Sequence, residues 1–193
     1  MSYLQTPAIA AGFVAIAAGS ANAAVISGVS DNDGGTYTVV QGGLADGVSA
    51  FSNDDSPKWT DIPSFLDGAD YIRTDNGDNS NSDLEVFVDL NQPAILYIFH
   101  SDNVDDPSWL TSNFMDTGND LSLDADGDDS DNVTYSIFSA TFDGSGSTTV
   151  DLFDNDPNTT NSEEMYGIAA VVPSPGAAAL IGLAGLASIR RRR

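Results

Sequence analysis

The sequence predicts an all-β fold, a single antiparallel β-sandwich of jelly-roll type, flanked by an N-terminal signal peptide and a C-terminal hydrophobic anchor helix. Three observations predict the sandwich. Apolar residues come in short runs broken about every ten residues by Asp, Asn, Gly and Pro, the rhythm of strands joined by tight turns. All but three of the 29 acidic residues are Asp, set mostly beside Gly, Asn and Ser, which is the chemistry of turns and not of solvated helix faces. Residues 84–90 then alternate Leu84, Val86, Val88 and Leu90 with Glu85 and Asp89, marking one buried face.

Taken in order, residues 36–41, 69–74, 84–90, 94–100, 133–142, 148–153 and 165–172 read as strands. Phe87, out of phase with its strand's buried row, is expected to be exposed or under a loop. Residues 95–99 are apolar at every position, so both faces are expected to be covered and the strand to be central. Asn91, Gln92 and Pro93 make the turn that predicts antiparallel pairing of the strands on either side. No internal repeat is visible.

Of 193 residues, the ends leave roughly 150 for the folded part, the size of one domain. Every acidic residue lies between Asp31 and Glu164, a stretch whose basic residues are Lys58 and Arg73 alone, so it carries a net charge of −27. Duplex affinity comes largely from Lys and Arg displacing counterions, so nucleic acid is excluded as a partner. Self-repulsion on this scale favours folding in salt or with bound divalent cations. The absence of cysteine excludes disulfides, thiolate metal sites and thiol nucleophiles.

Residues 8–18 form an apolar run of signal-peptide length, followed by Gly19, Ser20 and Ala21-Asn22-Ala23. Small residues at Ala21 and Ala23 suit signal peptidase, which predicts cleavage after Ala23 and assigns residues 1–23 to the signal peptide. The segment before the run has no Lys or Arg; either the signal is weak or the true start lies upstream. The folded domain is then 24–171. At the other end, Val172, Pro173, Ser174 and Pro175 precede an uncharged apolar stretch, residues 176–189, and Arg190, Arg191, Arg192 and Arg193 finish the chain. As a helix that stretch measures about 21 Å, short of the ~30 Å hydrocarbon core, which suits a provisional anchor. The arginines are expected to stay cytoplasmic and leave the acidic domain outside.

Residues 172–193 resemble the PEP-CTERM sorting signal of Gram-negative bacteria, in which a Pro-x-Pro motif, an apolar helix and a terminal Arg cluster are recognised by exosortase. Ser174 stands where the family most often has Glu, matching its Val-Pro-Ser-Pro variant. The resemblance implies transient inner-membrane anchoring, then cell-surface or extracellular location, commonly alongside exopolysaccharide. It makes the chain a substrate of signal peptidase and exosortase. A permanent membrane helix is the alternative, and it too gives surface display.

A second resemblance rests on Tyr71-Ile72-Arg73, residues 84–90, Tyr97, residues 107–110 ending in Trp109-Leu110, Asp116-Thr117-Gly118 and Met165-Tyr166. Together they are similar to a galactose-binding-like accessory module of secreted polysaccharide-active proteins. This implies a jelly roll with a carbohydrate-related or structural role.

Asp124, Asp126, Asp128, Asp129 and Asp131 surround Gly127 in what reads as a loop, and alternating carboxylates can converge on Ca²⁺, which takes six to eight oxygens. The spacing is not that of an EF-hand, and a solvated acidic turn is the alternative. Asp75, Asp78 and Asp83, and Asp31 with Asp33, form weaker clusters. Trp59 and Trp109 each follow a loop signal; either is a platform for a sugar ring or a plug folded over the sandwich edge. His100 is the sole histidine, which rules out triads and multi-histidine metal sites and suits a cap on the central strand. Residues 144–147 lack nucleophile-elbow spacing and read as a hairpin loop. Three functions remain, in order of preference: a non-catalytic, exported surface or matrix protein associated with exopolysaccharide, a carbohydrate-binding module, and a small polysaccharide-active enzyme.

Overall fold

The computed structural model describes residues 24–126, 132–143, 146–155 and 164–173. It is nearly all β, in two antiparallel sheets. Strands β1 (Ile26–Asp31), β6 (Glu85–Leu90) and β10 (Thr148–Phe153) make a three-stranded sheet with β6 in the middle. The larger sheet holds β2 (Thr38–Val40), β5 (Asp70–Arg73), β11 (Gly167–Val171), β7 (Ala94–Ser101), β9 (Asn132–Phe142), β8 (Met115–Asp124), β4 (Lys58–Thr60) and β3 (Val48–Ser49), in that spatial order. One short helix, α1 (Ser108–Asn113), and a 3₁₀ turn, Asn76–Ser80, lie in the connections.

The expected one-sided strand is there: Leu84, Val86, Val88 and Leu90 are buried, while Glu85 is exposed and Phe87 partly exposed. The fully apolar run is β7, fourth of eight strands and covered on both faces. Their expected hairpin does not form. Both edges of β6 are taken, by β1 and β10, and β7 pairs with β11 and β9. Residues 91–93 therefore cross between sheets, because a strand with one apolar face belongs to an outer layer whereas one apolar on both faces must be covered twice.

Phe99 and Tyr97 share one face of β7, and Leu96, Ile98 and His100 share the other. Trp59, from β4 near the sheet's edge, packs edge-on to Phe99 and Tyr135 at centroid separations of 5.5 and 5.1 Å, so the large sheet curls over its own face as a half-barrel. Leu96, Ile98 and the buried row of β6 belong to the same continuous apolar core. Buried Asp70 ties the start of this core together: its carboxylate accepts from the backbone N–H of Val25 at 2.6 Å, Ile26 at 3.2 Å and Gly42 at 2.7 Å.

Candidate functional site

Trp59 is not a glycan platform. Its side chain is fully buried, ringed by Phe51, Phe99 and Tyr135, because Gly167 on β11 leaves room for the indole against the sheet: a Cβ there would lie 2.6 Å from Trp59 Cζ2. Trp109, on α1, is half-buried. Its indole N–H donates to the Asp154 carbonyl at 2.9 Å, and its ring meets Phe114, Phe153 and Tyr166 at steep angles. It fills the sandwich edge as a wedge, the plug geometry.

Asp124 is not in a loop. It ends β8, buried, opposite Lys58 on one side and Asn132 on the other. Asp126 follows, exposed, and Asp128, Asp129 and Asp131 lie outside the described residues. So do the cleavage residues Ala21 and Ala23, and Ser174, Pro175 and Arg190, Arg191, Arg192 and Arg193. Val172 and Pro173 follow directly on β11, and Val172 is exposed. Among the described residues no helix is long and apolar enough to cross a membrane.

The weaker acidic clusters come together at one end of the fold. Asp75 caps the 3₁₀ turn by accepting from the Gly77 N–H at 2.9 Å and also accepts from the Thr36 N–H at 2.8 Å. Asp31 accepts from the N–H groups of Asp33 and Gly34. Asp78, buried, accepts from the Tyr37 hydroxyl at 2.7 Å. Burial raises the Asp78 carboxyl above its ordinary range; the Tyr37 bond opposes this, and repulsion from Asp75, Asp31 and Asp33 adds to it. Burial, followed by the bond to Asp78, pushes the Tyr37 hydroxyl far up, so it is a constant donor. These carboxylates are spent on turns and on Tyr37, and among the described residues no three His, Asp or Glu side chains are arranged to hold a metal ion.

His100 is buried, with Nε2 3.0 Å from the Asn155 carbonyl and Nδ1 3.2 Å from an Asp106 oxygen, close enough for an ion pair but outside hydrogen-bonding geometry. With one ring nitrogen held by a backbone carbonyl, it pins the 154–155 segment to the end of β7, the capping role its position suggested.

The surface best suited to a ligand was not legible in sequence. Phe65, 43% exposed, leans on Tyr97 of β7 with ring centroids 5.7 Å apart. Tyr97 lies opposite Ser139 of β9, and Ser139 opposite Met115 of β8. Cross-strand partners share a face, and strands lie about 4.8 Å apart, so Tyr97, Ser139 and Met115 form one rank about 10 Å long. Met115 is 76% exposed. The rank has an aromatic end, a small polar floor at Ser139 and a flexible apolar end. Next to Met115 a bulge puts Asp116 through Asp120 opposite Phe138 through Ser136, with Gly118 at a φ of +67°; bulges of this kind re-aim side chains beside binding sites. Burial raises the Tyr97 hydroxyl above its ordinary value, keeping it a neutral donor. Phe65 sits in a turn-like segment and Met115 among polar residues, so neither stood out without the register that aligns them.

No family model matches the chain, and no curated protein matches it. Its fold is similar to part of a β-glucuronidase from glycoside hydrolase family 2, with a TM-score of 0.58 at 20% identity; the likeness covers 75% of this chain and 14% of that enzyme. The chain thus spans a small fraction of the enzyme's length and shares the architecture of one β-sandwich portion of it.

Proposed function

We propose that this chain is a non-catalytic, exported surface or matrix protein whose β-sandwich binds polysaccharide through the Phe65–Tyr97–Ser139–Met115 rank. The observation that carries this reading is the rank itself: an exposed ring leaning on a second ring and continued by an exposed thioether on the large sheet. Sugar rings present CH-rich faces that pack on flat apolar side chains while their hydroxyls seek nearby polar groups, here Ser139. The shared architecture with a portion of a glycoside hydrolase is consistent with a carbohydrate-associated module. Export rests on the two ends of the sequence, with signal peptidase, exosortase and a transient inner-membrane stage as the expected route to the surface.

Two groups that could take part in proton transfer are engaged away from the rank. His100 is committed to a backbone carbonyl, and the raised carboxyl of Asp78 lies under a tyrosine hydroxyl in a turn cluster. The test is affinity electrophoresis of the full chain in gels containing a panel of polysaccharides, beside Phe65→Ala. Retardation of the wild type that the variant loses supports the reading; no retardation by any member, or sugar release from the panel, sinks it.

A further inference from the structure

We infer that Asp70 is the seat of the processed N-terminus: cleavage after Ala23 frees the α-ammonium group of Ala24, which pairs with the buried Asp70 carboxylate and stabilises the domain. The inference rests on the export reading above and concerns what signal removal does to the folded chain. Asp70 lies on β5 opposite Ala170 of β11 and is 7% exposed. A carboxylate drawn out of water needs hydrogen bonds and an opposite charge. The hydrogen bonds are there: Oδ1 accepts from Gly42 N–H, and Oδ2 from Val25 and Ile26 N–H. Two carboxylate oxygens offer about four acceptor sites, which leaves room for a further donor. The opposite charge does not come from Lys58 or Arg73. Arg73 donates through Nε to the Phe51 carbonyl at 2.7 Å and pairs with Asp55, and Lys58 donates to Ser49 Oγ at 2.8 Å.

The start of the mature chain supplies it. Val25 and Ile26 aim consecutive N–H groups at one oxygen, the nest arrangement that receives anions, and Ala24 is the next residue along. Adjacent backbone nitrogens are at most about 3.7 Å apart. With Val25 N 2.6 Å from Oδ2, the Ala24 nitrogen is no more than about 6 Å from it, inside the range over which opposite charges favour each other. The residue is also held in place: the Ala24 carbonyl accepts from Gln92 Nε2 at 3.4 Å, and the Val25 carbonyl from Asn91 N–H at 3.1 Å. A cavity of about 410 Å³ lined by Val25, Gly42, Asp67, Asp70 and Val171 opens at this point, and exposed Asp67 sets a second carboxylate in its wall. Before cleavage the Ala24 nitrogen is a neutral amide. Hydrolysis of the Ala23–Ala24 bond gives the hydroxyl of water to the Ala23 carbonyl and its hydrogen to the Ala24 amine, which takes up a proton at neutral pH.

The experiment first expresses the full chain in a Gram-negative host and reads the first residue of the exported protein by mass spectrometry; Ala24 is expected. Chains running from Ala24 to Arg193 are then prepared with a free and with an acetylated terminus. A third chain begins at Ala21, which keeps the terminal charge and moves it three residues out. All are melted at pH 6 in about 0.15 M salt. The free Ala24 chain is expected to melt about 3 °C or more above both others, and Asp70→Asn to bring the three within about 1 °C of one another. Should Asp70→Asn not fold, the titration of a ¹⁵N-labelled Ala24 amine replaces it, expected about one unit or more above the ordinary 7.7–8.0. Equal midpoints for the free and acetylated Ala24 chains, or an ordinary amine titration, overturn the inference and leave export standing. So does an Ala21 chain as stable as the free Ala24 chain, since the gain is then general relief of charge on an acidic domain. An exported protein that begins at another residue ends the predicted cleavage and the inference together.

Discussion

Gly167 on β11 lies directly beneath the indole of Trp59, so close that a single added methyl would stand 2.6 Å from Trp59 Cζ2 and 2.5 Å from Phe99 Cδ2. The pair joins the edge of the large sheet to its middle. Gly167→Ala is expected to lower the unfolding free energy by about 1–3 kcal/mol through overpacking, and Trp59→Ala by about 3–5 kcal/mol through the cavity it leaves. Thermal melts of both variants check this. Loss of glycan retention in folded Trp59→Ala, with an unchanged melting midpoint, would contradict the buried position.

Asp70 gives a second stability test. It accepts from the backbone N–H groups of buried Val25 and Ile26 and of exposed Gly42, and removing the carboxylate leaves two buried donors unsatisfied at roughly 1–3 kcal/mol each. Asp70→Ala is expected to cost about 3 kcal/mol or more in a urea titration, and Asp70→Asn less, since its amide oxygen still accepts. Equal losses in the two would mean that the carboxylate geometry matters and the acceptor alone does not suffice.

The pH dependence of stability is expected to carry the mark of Asp78. Its carboxyl is raised in the folded state, first by burial, so the folded protein favours the neutral form. The contribution to stability is full below the unfolded value of about 3.9 and is lost as pH rises through the folded value. Asp78→Asn keeps an acceptor for Tyr37 and removes the charge. Melting midpoints of variant and wild type are expected to agree in acid and to separate toward neutrality, the variant higher by roughly a few degrees. A variant that melts lower at neutral pH would show that the Tyr37–Asp78 bond outweighs the burial of charge.

Salt and divalent ions give the fourth. Screening at about 0.15 M ionic strength is expected to raise the melting midpoint of a domain so uniformly acidic. Ca²⁺ bound by Asp126 together with Asp128, Asp129 and Asp131 would add a rise beyond that given by matched Mg²⁺ or NaCl, removed by chelator and by Asp126→Asn. A rise identical for all three salts makes these side chains a solvated turn.

The sequence by itself determined the class of fold, the covered central strand and the one-sided strand of the outer layer, because periodicity of apolar residues reports how many faces of a strand are buried. It missed β1, β3, β4 and β8. Two of these are only two or three residues long, and β8 is a strand written in the Asp, Asn and Gly of turns, held by the ladder with β9. Which strand pairs with which was decided by tertiary structure: residues 91–93 read as a hairpin turn, yet they cross between sheets because both edges of β6 are filled. The same holds for the site. Aromatic residues near loops drew attention to Trp59 and Trp109, yet exposure depends on what packs above a ring, and Gly167, distant in sequence, is what lets Trp59 sink. Phe65, Tyr97, Ser139 and Met115 are scattered over 75 positions, and only the register of three strands and one loop sets them in a row.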